Sequence, residues 1–103
     1  MINIIIYLNK NIEPKQLVFN LLRDKLIAKA SIDINNESYY VQDGEIVRNE
    51  HTVITAQTKA LLFGPIETYI KEKFGEGVNV YAMPITQANA VFDQFIREAT
   101  QKI

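Results

Sequence analysis

The period of the apolar positions changes along the chain in the order two, 3.6, two, two, 3.6, two, 3.6. Asn3 to Leu8 is a nearly continuous apolar run of strand length, and Leu17, Val18, Leu21, Leu22 and Leu26 then share one helical face. Glu13-Pro14 opens that helix, because proline in the first turn forfeits an amide that would be unpaired anyway, and Asn11 is the candidate cap just upstream. Alternation returns at Ala28, Ala30, Ile32 and Ile34, interleaved with Lys29, Ser31 and Asp33. From there to Thr58 the one strong turn signal is Asp43-Gly44, which predicts a single hairpin with arms of roughly 13 residues, against about 5 or 6 for an ordinary strand. A second helix carries Leu62, Ile66, Tyr69, Ile70 and Phe74, with Gly64-Pro65 near its start and Gly75 and Gly77 at its stop. A strand from Val78 to Ile85 follows, and then a helix bearing Val91, Phe92, Phe95, Ile96 and Ala99. The faces Leu17, Leu21, Leu22 and Phe92, Phe95, Ile96 are predicted to be core. The predicted fold is α+β: a ferredoxin-like βαββαβ sandwich with an extra C-terminal helix and a long central β-hairpin.

With 103 residues the chain has room for one domain, residues 1–103, and its 48% apolar content suffices for a sheet with helices on one face. A domain of that size cannot cover such long arms. Tyr39, Tyr40, Val41, Ile46 and Val47 lie near the turn and are predicted to project with apolar side chains and unpaired edges, which monomers normally blunt. Self-association is the expected remedy. Eleven basic residues against 12 acidic ones give a net charge of −1, so no general field attracts nucleic acid or an anionic membrane, and neither is a predicted partner. The absence of cysteine excludes disulfides, zinc-thiolate sites and cysteine nucleophiles, and it fits a reducing cytoplasm. Ile4 to Ile6 is too short for a signal-peptide core or a membrane span, so a soluble, cytoplasmic chain is expected.

The segment Leu26-Ile27-Ala28-Lys29-Ala30-Ser31-Ile32 is followed by Ser38-x-Tyr40, Asp43-Gly44, Glu50 and, at the strand end, Thr58. Phe63 and Glu67 come next, then Ala82-Met83-Pro84-Ile85 and the trio Asn89, Phe92, Phe95. In order and spacing this series resembles the CutA divalent-cation tolerance family over nearly the whole chain. The resemblance implies a homotrimer in which long hairpins wrap neighbouring subunits, with clefts between subunits lined by hairpin and strand-end residues, here Tyr40, Glu50, Gln57 and Lys59. No cofactor is expected. The departures fall on the family's ligand positions: Lys29 stands where cysteine is usual, Gln42 where tryptophan is, and Gln57 where the strand-end lysine is. The His-Pro-Tyr-Glu stretch gives way to residues around Phe74-Gly75-Glu76-Gly77. The scaffold is thus expected to carry over better than the site, and no metal site is predicted.

Residue chemistry adds little to this. His51 is the only histidine, and on a strand it faces away from the adjacent Glu50, so it reads as an ordinary polar strand residue. The two serines, Ser31 and Ser38, have no base set beside them by spacing, which disfavours nucleophilic catalysis. Tyr39 and Tyr40 suggest interface packing, since no RNA-recognition string accompanies them. Asn9-Lys10-Asn11-Ile12 lacks the arginine and glycines of an acylphosphatase loop, and the hairpin lacks the basic, glycine-rich nucleotide loop of PII-type trimers. Two readings remain: a trimeric, non-enzymatic binding or regulatory protein with an unknown small ligand or protein partner, or a scaffold trimer that has lost ligand binding.

Overall fold

Strand β1 (Ile2–Asn9) is the hydrophobic spine, with Ile2, Ile4, Ile6 and Leu8 facing one way by the two-residue period and all buried. The computed structural model describes all 103 residues and adds α1 (Pro14–Arg23), β2 (Lys29–Gln42), β3 (Glu45–Thr58), a 3-10 turn (Ala60–Leu62), α2 (Phe63–Phe74), β4 (Asn79–Pro84) and α3 (Ala90–Ala99). The sheet is antiparallel in the order β2-β3-β1-β4, the ferredoxin-like arrangement. Helices α1 and α2 cover one face, where Leu17, Val18, Leu21, Ile66 and Ile70 join Ile4, Ile6, Leu8, Ile54 and Ala56 in one cluster. No helix is long and apolar enough to cross a membrane.

Both ends of α1 differ from expectation. The cap is Glu13, whose carboxylate accepts from the Lys15 amide at 3.1 Å, and not Asn11. The helix stops three residues before Leu26, because Lys25 takes a left-handed conformation (φ 57°) and the Leu26 amide turns back to the Leu21 carbonyl at 2.9 Å. Glycine usually holds that position, so lysine conceals the stop in the sequence.

The hairpin closes through Asp43 and Gly44, both at positive φ, and its arms are 14 residues each. Register jumps from Asp33↔Val53 to Asn36↔His51, so Ile34 and Asn35 together oppose Thr52 in a bulge, with Asn35 left-handed (φ 61°). The extra residue reverses the parity of β2. Ala30 and Ile32 face the helices, but beyond the bulge Asn36, Ser38 and Tyr40 share the opposite face with His51, Asn49 and Val47. Ile34 falls in the bulge and is exposed.

Two predicted core faces are only partly core. Leu22 is partly exposed, and on α3 Ile96 is fully buried while Val91 (81% exposed) and Phe95 (43%) are not. The physical reason is that α3 lies outside the α1/α2 layer and is held at its C-terminal end. There the Gln101 amide and Nε2 donate to the Lys25 and Asp24 carbonyls, both at 2.8 Å. The molecule measures 46 × 28 × 21 Å.

Candidate functional site

Where the long hairpin leaves the sheet, the end of β1, the middle of β3 and the α2–β4 connection surround a recess of about 250 Å³. Tyr7 and Asn9 reach it from β1, Asn49, Glu50 and His51 from β3. Phe74, Val78 and Asn79 close the opposite side. Alternation alone explains the mixture: Asn9 pairs with His51 on the sheet face away from the α1/α2 layer, whereas Glu50 belongs to the helix side, and the recess lies at the sheet end where both meet.

Glu50 is not a free carboxylate. Oε2 is 2.7 Å from Lys10 Nζ and Oε1 is 3.0 Å from Arg48 Nη1. Lys10 first and Arg48 second hold its pKa below the usual glutamate range. Arg48 also donates from Nε to Glu37 at 3.2 Å, and Glu37 accepts the Tyr39 hydroxyl at 2.6 Å. The result is a charge ladder running from the β1–α1 loop up one side of the hairpin. On the other face, the His51 ring stands edge-on to Tyr7 at 5.8 Å, and Tyr7 stacks on Tyr81 at 6.3 Å. His51 Nδ1 is buried and has no hydrogen-bond partner.

The four residues proposed from sequence divide into two pairs. Tyr40 Oη accepts from Asn49 Nδ2 at 3.1 Å, which links it to the recess that Glu50 borders. Gln57 donates to Asn3 Oδ1 at 2.7 Å, and Lys59 Nζ donates to the Gln101 carbonyl at 2.6 Å, fixing the C-terminal segment. Val47, the partner of Tyr40, is ten residues from Gln57, or about 33 Å along β3 at ~3.3 Å per residue. A single subunit therefore does not bring the four together.

Comparison with known proteins bears on what this arrangement belongs to. The family model of the CutA1 divalent ion tolerance protein matches residues 2–99. The chain belongs to the CutA1 family. Among solved structures, CutA1 from Ehrlichia chaffeensis is 26% identical, with 98% of this chain and 96% of that one covered and a TM-score of 0.82. A point variant of CutA1 from Pyrococcus horikoshii reaches 0.86 at 20% identity, covering 99% of this chain and all of its own. A CutA from Archaeoglobus fulgidus, described as a periplasmic divalent cation tolerance protein, reaches 0.83 at 21% identity, covering 98% and 100%. No curated protein matches the sequence.

For a CutA1 protein, the metal-ligating inventory of this chain is thin. It has no cysteine and one histidine, and no three side chains among His, Asp and Glu gather into a cluster. The carboxylate nearest to His51 in sequence is already held by two cations. Such a donor set does not fit a tightly held soft ion, which favours thiolate and imidazole. The residues that sequence reading missed are Tyr7, Asn9, Asn49 and Asn79. The available signal was positional: Asn9 and Asn79 stand at facing ends of neighbouring strands, where a polar side chain borders the sheet end and not the core.

Proposed function

We propose that this CutA1 protein is a homotrimeric, PII-like binding or regulatory protein of the cytoplasm, connected with divalent ion tolerance or small-ligand sensing, and not an enzyme. One domain spans residues 1–103, and subunits meet through the hairpin and the sheet face remote from α1 and α2. Nucleic acid and membrane are not partners in this reading. The observation that carries it is the hairpin end, where the directly paired Val41 and Ile46 are 69% and 77% exposed on a protein of this size. A second copy covers them at little cost, and the family resemblance of the sequence implies three. In this reading Tyr40 and Glu50 of one subunit line a cleft with Gln57 and Lys59 of another; their separation within a single chain is what supports placing the cleft between subunits.

Light scattering coupled to size exclusion tests the assembly. The expected mass at micromolar concentration is three times the 11.8 kDa subunit. A stable monomer removes both the trimer and the cleft. The alternative, a scaffold trimer without ligand, is separated by a thermal-shift screen of divalent metals and metabolites, because a ligand specific to the folded state raises its melting temperature.

A further inference from the structure

Exposed aliphatic side chains and unpaired charges meet at two opposite ends of the molecule, and the two ends are complementary. At the hairpin tip, Asp43 and Glu45 lie between the exposed Val41 and Ile46, and neither carboxylate is in an ion pair. No lysine or arginine stands between Val41 and Ile46. At the other end, the 3-10 turn Ala60–Leu62 and the end of α3 border a groove of about 510 Å³. Its charged side chains are all cationic: Lys59, Arg97 and Lys102. Lys59 Nζ donates to the Thr100 and Gln101 carbonyls at 3.5 and 2.6 Å, contacts that cancel no charge. Arg97 engages Asp93 through Nε alone, and Lys102 is in no ion pair. Leu61 and Ile103 line the same groove and are mostly exposed. Each end thus joins two open aliphatic side chains to charge of one sign, and the signs are opposite.

One chain cannot bring these ends together. Extended chain separates Ile46 from Lys59 by about 43 Å at ~3.3 Å per residue, on a molecule 46 Å long. The tip therefore finds its complement on a second copy. Asp43, Glu45 and Lys102 are exposed, so their attraction steers the approach and fixes its register at small desolvation cost, while the covered aliphatic side chains supply affinity. We propose that the hairpin tip of one subunit docks in the groove between the 3-10 turn and the end of α3 of the next. Asp43 and Glu45 then face Lys59, Arg97 and Lys102, and Val41 and Ile46 cover Leu61 and Ile103. The inference rests on the homotrimer reading above and names the surface that receives the hairpin. Because the two patches differ, the contact is head-to-tail, and such contacts form a closed ring when the rotation between copies closes. A ring of three leaves neither patch open.

Charge exchange on the full chain tests the docking. Asp43→Asn with Glu45→Lys makes the tip positive, and asparagine suits the left-handed backbone at residue 43 (φ 52°). Arg97→Glu with Lys102→Glu makes the groove negative. Sedimentation at low salt is expected to show association weakened about tenfold or more in each of these two variants, because like charges then meet. The chain carrying all four changes restores opposite signs and should assemble at least threefold more tightly than either. Lys15→Glu, on α1, serves as the control and should assemble as wild type does. Position is tested separately. The chain has no cysteine, so a short bismaleimide should link Val41→Cys/Leu61→Cys into covalent dimers and trimers, and neither single variant. The proposal is overturned by unchanged association in both charge variants, by a combined chain weaker than either, by cross-linking through Val41→Cys alone, or by no cross-link in a doubly substituted chain that elutes as a trimer. Any of these in a trimeric protein refutes the docking and leaves the assembly standing, whereas a wild-type monomer removes the trimer reading itself.

Discussion

Replacing Ile46 by glutamate probes the assembly at its most exposed apolar position on the hairpin. In one subunit Ile46 is 77% exposed and opposes Val41 next to the Asp43-Gly44 turn, so in an isolated monomer the change should stay within about 0.5 kcal/mol. In a trimer that buries the hairpin end the balance is different. Fully burying an isoleucine is worth about 1.5–3 kcal/mol, and with 77% of its surface still open the neighbour contributes about 1.2–2.3 kcal/mol per subunit, or about 3–7 kcal/mol per trimer. The introduced carboxylate must also lose water without a partner, which adds several kcal/mol per buried charge. Because ~1.4 kcal/mol is a factor of ten, even the smallest per-trimer loss, about 3 kcal/mol, weakens association more than a hundredfold. Ile46→Glu is therefore expected to elute as a smaller species at micromolar concentration and to melt at a temperature that rises with protein concentration. The conservative Ile46→Val should remain assembled. If Ile46→Glu stays trimeric with an unchanged melting temperature, the hairpin end is solvated and the wrapping interface does not exist.

Two further predictions concern interactions inside the subunit. Thr58 is fully buried and its hydroxyl donates to the Leu26 carbonyl at 2.6 Å, so Thr58→Val strands that acceptor. The expected loss is about 1–3 kcal/mol, read as a melting temperature lower by roughly 4–8 °C per kcal/mol, and an unchanged melting temperature refutes it. Glu50, held below its ordinary pKa by Lys10 and Arg48, contributes stability that is present above the unfolded-state value of about 4.3 and is lost as pH falls through the folded value. The advantage of wild type over Glu50→Gln should accordingly be constant near pH 6, begin to fall once pH drops below about 4.3, and vanish only below the lowered folded value. A difference that grows toward acid would reverse the sign of the assigned interaction.

Element order and most of the core were legible in the sequence, because a two-residue or 3.6-residue apolar period needs only the neighbouring residues to be read. The run Ile4 to Leu8, the face Leu17, Val18, Leu21 and the turn at Asp43-Gly44 all lie where that period puts them. The family was also legible, since order and spacing of short motifs survive substitution of individual ligands. The helix stop at Lys25 was not, because a lysine carries no mark of the left-handed conformation that packing imposes on it. Nor was the bulge at Ile34 and Asn35, where one extra residue passes unnoticed in a polar stretch but reverses the face of every β2 residue after it.

The recess belongs wholly to the tertiary level. Asn9, Asn49, His51 and Asn79 come from three strands, and only the β3-β1-β4 pairing sets them around one space. The commitment of Glu50 to Lys10, 40 residues away, likewise depends on where the β1–α1 loop lands beside the hairpin. Tyr40, Glu50, Gln57 and Lys59 lie on two adjoining strands and the loop after them, yet the chain sets them far apart, because a strand advances ~3.3 Å per residue and never folds back on itself. Sequence periodicity therefore determined the elements and most of the face that β1, α1 and α2 bury, since burial there acts through local alternation. The make-up of the recess, the orphaned imidazole nitrogen and the pairing of Glu50 with Lys10 were decided only by tertiary structure, because each depends on which distant residues the sheet register makes neighbours.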